Sequence, residues 1–123
     1  MKLRFRKNSL RLRLNQREVA GLAAGAALKE EVVFPGDTRM EYILEPSSDD
    51  SPEASFTKGV IRVAAPQTQL RAWASSDAVG IYFDLPANGT SLRVAIEKDM
   101  ECVDASQEDR DPYAFPREAR KNC

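Results

Sequence analysis

The sequence predicts an α+β fold: a small interleaved β-barrel made of two β-β-α-β-β repeats with pseudo-two-fold symmetry and two short helices. Three observations predict it. Apolar and polar residues alternate over short stretches, which is typical of strands with one buried face. A helical pattern interrupts this alternation twice. The whole series of patterns then occurs again about 51 residues further along the chain.

The first copy opens with a predicted hairpin. Leu3 and Phe5 alternate with basic residues, and Leu10, Leu12 and Leu14 do so after a short break that contains Asn. This period of two predicts two strands whose apolar side chains all point into the core. The short break between them predicts a tight turn.

A short helix and a second hairpin complete the first copy. Asn15 and Glu18 have the spacing of a capping box, in which each side chain accepts a hydrogen bond from the other residue's amide. An apolar helical stripe then runs to Leu22, and Gly25 is a suitable helix stop. Alternation on both sides of the Pro-Gly-Asp turn at 35–37 predicts two more strands.

The second copy contains the same elements in the same order. Lys58-Gly59 predicts the first turn, Pro66 suits a helix start, and Asn88-Gly89 is a strong signal for a two-residue hairpin turn. Trp73 lies in the apolar stripe of the helix, so core packing is favoured over a ligand-stacking role. The repeat matches Leu28 with Val79, Val32 with Phe83 and Phe34 with Leu85, and it places Phe5 with Phe56 and Leu22 with Trp73 at equivalent core positions.

The two copies define the domain organisation. Repeat one covers 2–45, a polar linker covers 46–53 and repeat two covers 54–98, so the duplicated domain spans 1–98. One repeat has too little core to fold alone, whereas two can bury each other's apolar faces without any oligomer. Residues 99–123 are expected to form an acidic, extended tail.

The tail leaves two questions open. Cys102 and Cys123 are the only cysteines. A bridge between them in an oxidising compartment and two free thiols in the cytosol are both compatible with the sequence. Tyr113 and Phe115 lie between prolines, and they form either a docking segment for a protein partner or a strap that packs back on the domain.

Composition and motifs argue against an enzyme. Apolar residues make up 42% and charged residues 30% of a chain that contains no histidine, which is ordinary for a globular domain. We find no zinc-ligand spacing and no phosphate-loop or nucleophile motif. The basic start has no apolar segment of the kind found in signal peptides, and no stretch could span a bilayer. We therefore expect a soluble cytoplasmic protein with no catalytic residue, no metal, no cofactor and no membrane contact.

Charge is distributed unevenly although the net charge is only −1. The first 17 residues hold seven basic side chains and no acid, whereas 99–111 hold six acids and one arginine. Strand parity places the basic side chains of the first hairpin together, opposite the leucines. Guanidinium groups on a rigid β-ribbon can bind phosphates, and such a ribbon fits the major groove. The plain alternative is a solvated strand face that protects a sheet edge against aggregation. A third alternative is that these basic side chains bind an acidic partner, which includes the acidic tail of the same chain.

The order of elements resembles the swapped-hairpin barrels of AbrB-like transition-state regulators and MazE-type antitoxins. Lys7-Asn8-Ser9 is similar to their Gly-Asn-Ser turn, Arg13-Leu14 to the end of their Val-Arg-Ile-Pro strand, and residues 62–97 to their second half. Lys7 stands where that family has Gly, and Asn15 where it has Pro. Those proteins are dimers, so the resemblance implies both units in one chain and DNA contact through the first hairpin. The chain also resembles a small family of uncharacterised bacterial proteins, and that resemblance implies no function.

The expected function is that of a non-catalytic regulator or antitoxin-like module that binds nucleic acid weakly through the basic β-ribbon. The alternative is a protein-interaction module without nucleic-acid binding, with Tyr113 and Phe115 as partner contacts. The expected DNA-binding residues are Arg4, Arg6, Lys7, Arg11 and Arg13 in the first copy, and Lys58 and Arg62 as weaker counterparts in the second.

Overall fold

The structure is a computed structural model that describes residues 1–100, 112–113 and 115–116. Within these residues the predicted order of elements is present in both copies. The first copy consists of β1 (Lys2–Arg6), β2 (Ser9–Leu14), α1 (Gln16–Ala23), β3 (Leu28–Val33) and β4 (Arg39–Ser47). The second consists of β5 (Glu53–Thr57), β6 (Val60–Pro66), α2 (Gln67–Ala74), β7 (Gly80–Ala87) and β8 (Thr90–Lys98). The connection between the copies is 48–52, which is shorter than the predicted linker.

The strands form two four-stranded sheets, and each sheet takes one hairpin from each copy. The first sheet has the order β1-β2-β8-β7 and the second has the order β3-β4-β6-β5. In both sheets the two antiparallel hairpins are joined by a central parallel pair, β2 with β8 and β4 with β6. The copies are therefore interleaved, because neither could form either sheet by itself.

The expected closed barrel is not formed. Among the described residues no strand pairing joins one sheet to the other, so β1, β7, β3 and β5 remain edges. Side chains and the chain's first residue bridge the gap between β1 and β3 instead. The ammonium group of Met1 contacts the carboxylates of Glu18 and Glu30, and the Tyr42 hydroxyl donates to the Met1 carbonyl oxygen at 3.1 Å.

Met1 is held firmly at this gap. Burial lowers the pKa of its ammonium group, but hydrogen bonds and charge attraction from Glu18 and Glu30 outweigh burial, so the pKa is raised. Glu18 also accepts a hydrogen bond from the Asn15 amide at 3.0 Å, while Asn15 accepts one from the Glu18 amide at 2.9 Å. The predicted capping box is thus confirmed, and its glutamate ties the start of α1 to the edge of the first sheet.

Strand registers show how the two copies correspond. Phe5 pairs with Leu10 as Phe56 pairs with Ile61, which matches the offset found in the sequence. The third strands do not follow this offset. Leu28 pairs with Leu44, and the equivalent pair in the second copy is Ile81 with Ile96. The sequence-based matches of Leu28, Val32 and Phe34 with Val79, Phe83 and Leu85 are therefore wrong by two residues, because the second copy has a longer connection between its helix and its third strand.

The core lies between the inner faces of the sheets and the two helices. Leu12, Leu14, Leu44 and Ile96 are almost completely buried, and both helices contribute to the same cluster. Trp73 is only 3% exposed and occupies the core together with Leu22, as the sequence predicted.

Phe5 and Phe56 are not core residues, which corrects the sequence-based expectation. They are 59% and 71% exposed. Both have the inward parity that was predicted, but both lie on edge strands near a hairpin turn. No further strand covers them there, because the sheets do not close.

Two lysines occupy equivalent, strained turn positions. Lys7 and Lys58 each open a two-residue turn with φ of 51°. Left-handed backbone of this kind disfavours a side chain by roughly 1–2 kcal/mol. Asn88 and Gly89 form the third two-residue turn with φ of 46° and 83°, which confirms the turn signal in the sequence.

Replacing Trp73 by Ala should lower the free energy of unfolding by about 3–5 kcal/mol, because it leaves a large cavity in a small core. The matched control is Phe56→Ala, which removes an exposed aromatic side chain and should change stability by no more than about 0.5 kcal/mol. Urea unfolding followed by circular dichroism measures both. A Trp73→Ala protein as stable as the wild type would contradict the burial of this side chain.

Candidate nucleic-acid interface

The basic side chains of the first hairpin share the outer face of the first sheet. Strand pairing places Lys2 beside Arg13 and Arg4 beside Arg11. The parallel neighbour β8 adds Arg93 next to Ser9. The core leucines occupy the alternate positions, so these cations point away from the core. We call this surface the basic face; it consists of Lys2, Arg4, Arg6, Arg11, Arg13 and Arg93.

A carboxylate neutralises the centre of the basic face. Glu97 in β8 lies with its Oε1 3.0 Å from Arg11 Nε and 3.6 Å from Arg13 Nε. The Tyr82 hydroxyl donates to Glu97 Oε2 at 2.7 Å. Gly80 leaves room for this group, since a Cβ on Gly80 would lie 2.8 Å from Glu97 Cγ. Arg11 and Arg13, two of the predicted DNA contacts, therefore already have an internal counter-ion.

Sequence reasoning missed Glu97, although a signal was present. The repeat matches Arg11 with Arg62 and Glu45 with Glu97. In the second sheet Arg62 Nη1 lies 3.0 Å from Glu45 Oε1, so the same ion pair occurs once in each sheet. Recognising it requires knowing that the second strand of one copy pairs with the fourth strand of the other, and periodicity does not contain that information.

The open part of the basic face is at its edge. Arg4 and Arg6 on β1 and Lys7 in the adjoining turn are exposed. None of these three side chains has an ion pair within the part of the chain that the structure describes. Lys2, in contrast, lies 2.8 Å from Asp99, a residue that is only 6% exposed. Exposed cations without nearby carboxylates are the groups best placed to meet phosphates.

The structure places Lys58 and Arg62 away from the basic face. Arg62 lies on the second sheet and is paired with Glu45, and Lys58 lies in the turn before β6. Other cations of that sheet are also paired with acids, including Lys29 with Glu41 at 3.4 Å. The two predicted second-copy contacts therefore do not extend the first-copy surface.

The hairpin β1–β2 is not a free ribbon. The second edge of β2 pairs with β8, so the hairpin is half of a four-stranded sheet. Four strands at about 4.8 Å spacing place the outer strand axes about 14 Å apart. The major groove is about 12 Å wide. The sequence-based idea of a ribbon lying in the major groove therefore does not fit, because the whole sheet face is too broad.

Tyr113 and Phe115 contact the domain itself. The Phe115 amide donates to the Asp99 carbonyl at 2.7 Å, and the Gln16 amide donates to the Tyr113 carbonyl at 2.8 Å. The guanidinium of Arg17 lies 4.0 Å from the centre of the Tyr113 ring. Of the two arrangements left open by the sequence, the strap that packs back on the domain is the one observed.

The structure also bears on metal binding and on membrane insertion. Among the described residues no group of three His, Cys, Asp or Glu side chains is placed to bind a metal ion. Both described helices are far too short to cross a membrane. Cys102 and Cys123 lie outside the described residues.

Tyr82 provides a spectroscopic test of the Glu97 cluster. Burial raises the pKa of the Tyr82 hydroxyl, and the hydrogen bond and charge of Glu97 raise it further, while Arg11 and Arg93 oppose these effects. Replacing Glu97 by Gln should therefore lower this pKa, because the remaining arginines favour the tyrosinate. Tyrosinate absorbance against pH measures the change, and Tyr82→Phe identifies the signal among the three tyrosines. An unchanged titration would show that the two side chains do not interact.

Comparison with known proteins gives a family without a function. No curated protein and no solved structure matches the chain. The resemblance to AbrB-like barrels therefore stays a prediction. A model of a family of unknown function, DUF7009, matches residues 1–118, and the chain belongs to this family.

Proposed function

We propose that this domain is a non-catalytic regulator or antitoxin-like module of the cytoplasm that binds nucleic acid weakly through the basic face and Lys7. The observation that supports it most is the cluster formed by Arg4, Arg6 and Lys7 at one edge of the sheet. These three side chains face solvent, and no carboxylate is described beside them. Phosphates that bind to them would therefore release the small cations condensed on the nucleic acid, which favours binding.

The duplication supplies an internal comparison. Strand pairing assigns to each outer position of the first sheet an equivalent position in the second. The Arg–Glu ion pair is present in both sheets, and Lys7 has a basic counterpart in Lys58, but the other five cations of the basic face have none. The equivalent residues are Lys2 and Glu53, Arg4 and Ser55, Arg6 and Thr57, Arg13 and Ala64, and Arg93 and Glu41.

This comparison argues against a purely structural role for the cations. The second sheet forms the same strand order with neutral or acidic residues at the same positions. The fold therefore does not require positive charge there. Protection of a sheet edge does not explain it either, because the equivalent edge strand β5 has Ser55 and Thr57 instead.

We further propose that a pseudo-two-fold axis relates the two copies, as it relates the two chains of AbrB-like and MazE-type dimers. The matching hairpin registers support this axis. The two central parallel pairs also support it, because exchanging the two copies converts each pair into the other. Such an axis would turn the basic face onto a surface that is not basic. One contact surface per domain suits a ligand without two-fold symmetry better than a palindromic operator.

A second candidate is the protein-interaction module, and exposed apolar side chains favour it. Phe5, Phe56 and Val33 are 59%, 71% and 62% exposed. All three lie on edge strands, where unpaired backbone groups can also accept a strand from a partner. This module would leave the basic face as ordinary surface, and it would lead if no nucleic acid binds.

The deciding measurement is a salt titration of nucleic-acid binding by the wild type and by Arg4→Ala/Arg6→Ala/Lys7→Ala. We expect log affinity to fall linearly with log salt concentration. The triple variant should lose about 2–3 units of that slope, because each phosphate contact contributes about 0.7–0.9. The matched control is Lys29→Ala/Lys58→Ala/Arg62→Ala, which removes the same charge from the second sheet and should keep most of the slope. No binding by the wild type at low salt, or equal losses in both triple variants, would contradict the proposal.

The acidic tail should weaken this binding. Glu101, Asp104, Glu108, Asp109 and Asp111 lie outside the described residues, but they are tethered to a basic domain and raise the local concentration of competing carboxylates. Replacing all five by Gln or Asn should therefore increase affinity at low salt, and the increase should vanish at high salt. This change keeps Asp99 and Phe115, which contact each other, whereas deletion of the tail would remove them. An unchanged affinity would show that the tail does not compete.

A further inference from the structure

We propose that the ligand of the basic face is a single-stranded nucleic acid, one base of which stacks on Tyr82. This inference rests on the proposed function and adds the class of ligand and the side chain that selects it. Tyr82 lies on β7, at the opposite edge of the first sheet from Arg4 and Arg6. A strand that contacts both must cross the sheet face.

The Tyr82 side chain leans along the sheet. Its hydroxyl lies 3.0 Å from the position that a Cβ on Gly80 would occupy, two residues earlier on the same strand and face. A tyrosine that stood up from the sheet would hold its hydroxyl much farther from that point. Ala95, directly opposite Tyr82, is also small. Because Gly80 and Ala95 are small, they leave a shallow depression on the sheet face, and the Tyr82 ring lies in it.

The ring is accessible and fixed at the same time. Tyr82 is 46% exposed. The anchor is the 2.7 Å hydrogen bond to Glu97, which is itself held by Arg11 and Arg13. An anchored ring loses little conformational entropy when a ligand stacks on it, and this reduces the free energy that binding must supply.

Cations lie on the path that a strand would take. The guanidinium of Arg93 lies over the Tyr82 ring, 5.5 Å from its centre, so a stacking base must move this side chain aside or insert beneath it. Arg93 pairs with Asp84 on β7 and with Ser9 on β2, so one acid lies beside it on the same face, and Arg4 and Arg6 lie beyond Ser9 on β1. An aromatic platform beside a row of cations is the combination that single-stranded nucleic acids use, with bases on the ring and phosphates on the cations.

A duplex cannot use Tyr82 in this way. Its bases are already stacked on one another, and a sheet about 14 Å wide is too broad for a major groove about 12 Å wide. A duplex could still bind to the cations through its phosphates. The expected order of affinity is therefore single strand above duplex, with the difference carried by Tyr82.

The test compares binding of fluorescently labelled oligothymidylate, oligouridylate and a mixed-sequence duplex of the same length at constant salt. The wild type should bind the single strands more tightly than the duplex. Tyr82→Ala should weaken single-strand binding by about 5- to 100-fold, the range expected for one lost base stack. Tyr82→Phe should restore most of that loss, because it keeps the ring. Phe56→Ala, which removes an exposed aromatic from the other sheet, should bind like the wild type.

A second measurement covers the case in which Tyr82→Ala disturbs the fold. Stacking should shift the ring-proton NMR resonances of Tyr82 upfield when oligothymidylate is added to the wild type. Similar shifts with both oligonucleotides support a contact shared by DNA and RNA, and a shift with only one of them supports the proposal and identifies the sugar. Unshifted Tyr82 resonances, or equal affinity of Tyr82→Ala and wild type, would overturn the stacking proposal while phosphate-driven binding stands. Absence of all binding at low salt would overturn the proposed function itself.

Discussion

The parallel pairing of the two copies at the centre of each sheet is the constraint on which the structure depends. Among the described strands, β2 with β8 and β4 with β6 are the pairs that join one copy to the other. These four strands also contain the most deeply buried strand residues, among them Leu12, Leu44, Val63 and Ile96. A single copy would leave both of its hairpins as isolated two-stranded ribbons, which are marginally stable in water. Folding and association of the copies are therefore one event.

The same pairing determines where charges meet. It brings a glutamate from the fourth strand of one copy to an arginine from the second strand of the other, at 3.0 Å in both sheets. An ion pair of this kind joins the two copies once in each sheet. The charged side chains around this ion pair differ between the two sheets. The first sheet has more cations than acids, whereas in the second sheet cations next to the pair are themselves paired with acids. An almost neutral protein can therefore have more cations than acids on one face.

Sequence reasoning succeeded where the determining interactions are local. The capping box of Asn15 and Glu18, the Asn88-Gly89 turn and the burial of Trp73 each follow from a few neighbouring residues. It failed where distant segments decide. Periodicity gave Phe5 and Phe56 the correct side of their strands, but only the edge positions of β1 and β5 explain their exposure. The third-strand register was misassigned because alternation is unchanged by a shift of two residues. Glu97 could not be placed beside Arg11 from the sequence because the pairing of β2 with β8 joins segments that are far apart in the chain.

Duplication also changes what a binding surface can become. Two identical chains that paired in this way would present two identical outer faces, and any cation gained on one would be gained on both. Covalent linkage removes this restriction, because each outer face is encoded separately. Here both faces contain the Arg–Glu pair, and Arg4, Arg6 and Arg93 surround it on one face while Ser55, Thr57 and Glu41 occupy the equivalent places on the other. Self-repulsion of a chain that was basic on both sides is thereby avoided, and the positive potential is concentrated where a single ligand strand could lie.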